Sequence, residues 1–107
     1  MNMKKIEAVI FPLYLNTVRM ELHRRGIRGG LTVVEVQHSD SHQGLLSTDK
    51  GASGTFQDRV KLELIVDDSE AEKVVNIILR HAQPESDAEG GHIAVLDMNE
   101  TLRIGLH

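Results

Sequence analysis

A chain of 107 residues with 40% apolar and 26% charged side chains has the proportions of one ordinary globular domain, spanning 1–107. Twelve basic against sixteen acidic residues give a formal net charge of −4, which repels a phosphate backbone and sets nucleic acid aside as a partner. Cysteine is absent, which excludes a disulfide framework, a thiolate nucleophile and a cysteine-ligated zinc centre.

The lysines and apolar run of Met1 to Leu13 are interrupted by Glu7 and Pro12 and carry no small-residue cleavage site, so the segment reads as a strand rather than a signal peptide. Lys4 to Phe11 alternates, with Ile6, Ala8 and Ile10 on one side and Glu7, Val9 and Phe11 on the other, and Pro12 stops it. Asn16 is the expected N-cap of a helix that carries Val18 and Leu22 one turn apart, runs through Arg25 and ends at Gly26. Gly29 and Gly30 then turn the chain into a strand over Thr32 to Gln37. No window approaches the roughly 18 apolar residues that a bilayer span needs, so a soluble, cytoplasmic protein is expected.

His38 to Asp58 is polar and rich in Ser, Gly and Asp, a long loop in so small a domain, and loops beyond about 12–15 residues are commonly functional. The strand pattern returns over Arg59 to Val66, with Val60, Leu62 and Leu64 opposed to Lys61, Glu63 and Ile65. Asp67, Asp68 and Ser69 supply capping groups for a second helix, whose apolar stripe is Ala71, Val74, Val75, Ile78, Leu79 and Ala82, closed by Pro84. Gln83 to Gly91 is polar, His92 to Met98 is a fourth strand, and Leu102 to Leu106 suggests a short fifth. A doubled β-α-β unit of this length predicts an α+β, ferredoxin-like fold: an antiparallel sheet, two helices on one face, and a long insertion between strands 2 and 3. The second face keeps Val9, Phe11 and Ile65 among charges, and self-association is the economical way to cover it.

The segments Lys4-Lys5-Ile6-Glu7-Ala8-Val9-Ile10, Gly26-Ile27-Arg28-Gly29, Leu31-Thr32-Val33-Val34-Glu35-Val36 and Arg59-Val60-Lys61-Leu62-Glu63 together resemble PII signalling proteins, as do the turn Glu89-Gly90-Gly91-His92-Ile93 and the ending Leu102-Arg103-Ile104. The resemblance implies a homotrimer with ligand sites between subunits and a flexible T-loop, here 38–58, that docks on a target protein such as a membrane transporter. It implies an adenine nucleotide, ATP, ADP or AMP, or another small anion as effector. The implied binding residues are Gly29, Thr32, Arg59, Glu63, Gly90, Gly91, His92 and Arg103. The chain departs from the pattern where His92 stands in place of the B-loop lysine, Gly105 in place of the second C-terminal arginine, and the loop lacks a tyrosine for uridylylation.

Two other readings stay open. His38, Asp40 and His42 recur at every second position, so an extended segment points three potential metal ligands to one side; incidental histidines in a solvated loop have the same pattern. A constitutive interaction module with a decayed ligand site is the remaining alternative. The chain carries no G-x-S-x-G, H-E-x-x-H or P-loop motif, and its paired acids Asp67-Asp68 and Glu70-Glu72 suit a helix N-terminus, so no catalysis is expected.

Overall fold

The computed structural model describes residues 2–39, 56–85 and 90–105. In chain order these form β1 (Met3–Ile10), a 3-10 turn (Pro12–Tyr14), α1 (Leu15–Arg24), β2 (Leu31–Ser39), β3 (Phe56–Asp67), α2 (Asp68–His81) and β4 (Gly91–Met98). The strands make one sheet in the order β2-β3-β1-β4, with every neighbouring pair antiparallel. Both helices pack on one face, which is the ferredoxin-like arrangement that the alternation and the two helical stripes predict.

Alternation decides which side chains meet the helices. Ile6, Ala8 and Ile10 of β1 pair with Leu64, Leu62 and Val60 of β3, and paired residues share a face. These strand residues and Val66 join Val18 and Leu22 of α1 and Ala71, Val74, Ile77, Ile78 and Ala82 beyond them in one buried cluster. Every buried side chain among the described residues is apolar. Burying a side chain of this kind is worth about 1.5–3 kcal/mol, so the helix-covered face supplies the driving force for folding.

The helix ends follow from local chemistry. Gly26, at φ +74°, closes α1: its N–H bonds to the His23 carbonyl and the Ile27 N–H to that of Leu22, each at 3.0 Å, the paired bonds of a Schellman ending. In α2, Asp68 and Glu70 lie in the first turn and Arg80 and His81 in the last, complementing the helix dipole at both ends. Lys4 ties the sheet to α2, bridging Asp97 of β4 and, at 3.6 Å, Asp68.

Several boundaries differ from the sequence reading. The first strand stops at Ile10, because Phe11 is recruited as the cap of the turn that Pro12 opens at the position where a missing N–H costs nothing. That turn starts the helix early, so Asn16 lies inside α1 and accepts from Arg19 at 3.4 Å instead of capping. Asp67 is the residue before α2 but makes no side-chain capping bond. Leu79 is half exposed and Ile77 takes its place in the core: β4 is the sheet edge, and among the described residues nothing beyond it covers that flank of α2. His38, Ser39 and Phe56 to Asp58 belong to strands, so β2 and β3 run on as a ribbon past the end of β1. Leu102 to Gly105 form no strand; Leu102 and Ile104 stand exposed in the tail.

Candidate functional site

The expected binding residues divide between the two ends of the sheet. Gly29 lies at the end where β2 begins; its φ is +111°, and a side-chain carbon there would sit 3.0 Å from the Ile65 carbonyl oxygen. Gly90, Gly91, His92, Arg59 and His38 lie at the other end, where β1 stops and β4 starts. From Ile65 to Arg59 along β3 is about 20 Å at roughly 3.4 Å per residue, so Gly29 and Gly91 stand at opposite ends of one chain. Thr32 and Glu63 are register partners between the two ends, on the face turned away from the helices.

At the β4 end, close approach dictates glycine. Gly91 has φ +121°, and a Cβ there would fall 1.8 Å from the Val9 carbonyl oxygen; one on Gly90 would fall 2.7 Å from Pro84 Cδ. The pair thus lets β4 enter the sheet hard against β1. A cleft of about 350 Å³ opens beside it, lined by the exposed apolar side chains of Leu79 and Val95 together with Pro84, Gly90 and Gly91. His92 points to the opposite face, where its ring centroid stands 5.4 Å from that of His38.

Arg59 is held rather than free. Its guanidinium donates to the Asp58 carbonyl and to Gln57 Oε1, both at 2.7 Å, and lies 4.1 Å from the centroid of the Phe11 ring. The Phe11 contact explains why a large aromatic follows β1, and nothing in the local pattern announced it. Arg103 is exposed in the tail, with no partner among the described residues. Asp40 and His42 lie outside the described residues, so His38 is the one member of the expected loop triad whose position is given.

The open face also carries a charge lattice that sequence reading missed. Lys5 meets Glu7 at 3.0 Å and Glu63 at 3.9 Å, and Lys61 meets Glu63 at 3.1 Å. The Lys5 hydrogen bond holds the Glu7 carboxyl below its ordinary range, against the opposing effect of desolvation, with further help from the charges of Lys5, Lys61 and His92. The same bond raises Lys5. Alternation had already put Lys61, Glu63 and Glu7 on one side; their cross-strand register is what the sequence alone left open.

A small α+β domain of the ferredoxin-like type is what this topology defines, with a glycine-built turn at the β4 end and a two-stranded ribbon of β2 and β3 running past the end of β1. Residues 3–106 match the family model for nitrogen regulatory protein P-II, and the chain belongs to that family. It is 35% identical over 104 residues to the nitrogen regulatory protein P-II of Pyropia yezoensis, covering 95% of this chain and 91% of the relative. It is 36% identical, with the same coverage, to nitrogen regulatory protein P-II 1 of Escherichia coli strain K12. Among solved structures, the Arabidopsis thaliana PII bound to citrate aligns with a TM-score of 0.75 and 27% identity over 96% of this chain and 83% of that one. Among the described residues no helix is long and apolar enough to cross a membrane.

Proposed function

We propose that the chain is a cytoplasmic signalling protein that works as a homotrimer. It binds a small anionic effector, an adenine nucleotide (ATP, ADP or AMP) or a polycarboxylate such as citrate, in clefts between subunits. Binding changes how the segment 40–55 meets a target protein, of which a membrane transporter is the expected class. Its action is regulatory rather than catalytic, in keeping with the family name.

The separation of Gly29 from the Gly90-Gly91 end is the observation that carries this reading. Residues split between opposite ends of one subunit form a single site only when a second copy brings its own end alongside. Val34 and Leu96, each more than two-fifths exposed on the open face, and the cleft at Leu79 and Val95 supply apolar surface for such contacts. Within the site, the backbone amides of Gly90 and Gly91 cradle an anion and Arg59 and Arg103 give charge-assisted bonds to it. Effector contacts made in only one arrangement of the hairpin shift its population, which is all that switching requires.

The test is thermal unfolding of the purified protein with ATP, ADP, AMP, citrate and bicarbonate, alongside a mass determination in solution. A trimeric mass and a melting temperature that rises with one of these anions, but not in an Arg59→Ala/Arg103→Ala double variant, are expected. A monomeric mass overturns the inter-subunit site. A trimer indifferent to every anion overturns the sensor and leaves a constitutive interaction module.

A further inference from the structure

His38 and His92 belong to opposite edges of the sheet, with β3 and β1 between them, about 14 Å apart across the strands at roughly 4.8 Å per strand, and His38 lies four residues further along than Val34, which shares the row of His92. Their ring centroids are nevertheless 5.4 Å apart, with the planes inclined by 43°. The ribbon explains the meeting. Past Ile10, among the described residues, only β2 and β3 continue, pairing Gln37 with Asp58 and His38 with Gln57, and two-stranded ribbons twist more strongly than sheets. The twist carries His38 across the open face to His92. Val9, the register partner of His92, is only 8% exposed although it is no part of the helix-side core.

We propose that His38 and His92 are the two protein ligands of a divalent transition-metal site, taking zinc, nickel or copper, with water in the remaining positions. Metal–nitrogen bonds of about 2.0–2.1 Å at a tetrahedral angle put two imidazole centroids roughly 5 Å apart, close to the spacing found. Imidazole is a ligand suited to all three metals. Of the cations nearby, Lys61 is paired with Glu63, and Arg59 is held against Gln57, Asp58 and Phe11 with N–H groups left over for an anion. Glu7, two residues along β1 from the register partner of His92, stands on the same face, and the chain as a whole is acidic. The metal joins the far end of β2, the strand leading into residues 40–55, to the first turn of β4. It therefore fixes the angle of the hairpin against the sheet, whichever anion the Gly90-Gly91 end takes. The proposed partner of His38 is a distant residue on the other sheet edge, which its sequence spacing did not suggest.

The test uses the full chain, untagged and stripped with a chelator, titrated with zinc, nickel or copper chloride while metal binding and melting temperature are followed. The wild type is expected to bind one metal per chain and to melt higher with it. His38→Ala and His92→Ala are each expected to weaken binding at least tenfold, since even outer-shell changes at metal sites cost about that much. His23→Ala, on the exposed surface of α1, should bind as the wild type does. Melting of each variant without metal separates lost ligation from lost folding. No binding in the wild type, or binding that survives either single substitution of the pair, overturns the site.

Discussion

The two faces of the sheet are built on opposite principles. The helix-covered face is wholly apolar, with Ile6, Leu62, Val18 and Val74 at zero or near-zero exposure. The open face alternates Lys5, Glu7, Lys61 and Glu63 in short ion pairs, with Val34 and Leu96 beside them. One face is shaped by apolar burial and the other by ion pairing. The comparison is sharpest at adjacent residues of one strand. Leu62→Ala should lower stability by about 2–5 kcal/mol, the usual cost of removing a fully buried leucine from a packed core, read as a lower denaturant midpoint. Lys61→Ala, one position along and on the other face, should move the midpoint far less. Comparable losses at the two positions would erase the distinction between the faces.

Gly91 tests whether the site can be altered separately from the core. A side chain there meets the Val9 carbonyl at 1.8 Å and needs a φ near +121°, so Gly91→Ala must displace the start of β4 from β1. Strain of this kind costs about 1–3 kcal/mol, less than the leucine truncation, because the strand can give way locally while the buried cluster stays packed. Effector binding should suffer more than stability does. A variant with the wild-type midpoint and wild-type anion response would show that the turn has no hold on the ligand.

The apolar face was legible in the sequence because burial imposes a period: Val60, Leu62 and Leu64 and the stripe from Ala71 to Ala82 could be read directly. Errors fell where tertiary context outranks the period. Ile77 and Leu79 flank the same stripe, and only the position of the sheet edge decides which is covered. The glycine turn was legible as glycines, whereas its closeness to the Val9 carbonyl was not. The meeting of His38 and His92 had no local signal, since it arises from ribbon twist between residues on opposite edges. The division of the expected ligand residues between two ends of one chain likewise needs strand register, which a single sequence does not specify.

The smallest effect expected lies on the open face and is a matter of pH. Glu7 is held below its ordinary value of 4.5 first by the Lys5 hydrogen bond. A carboxyl depressed in the folded state stabilises it at pH above the unfolded value, and that contribution is lost as pH falls through the folded value. Lys5, raised above 10.5 by the same bond, contributes below that pH and loses its share as pH rises through the raised value. Glu7→Gln should therefore flatten the acid limb of the stability curve below about pH 4.5 and draw the alkaline limb back toward the ordinary lysine range. Glu21, depressed on the helix side by its bond to Arg24, keeps its own acid dependence and serves as the internal control. Denaturant midpoints across the pH range would register both limbs. If the acid limb of Glu7→Gln overlays that of the wild type, the open-face pairs do not stabilise the folded chain, and their short distances serve only whatever that face meets.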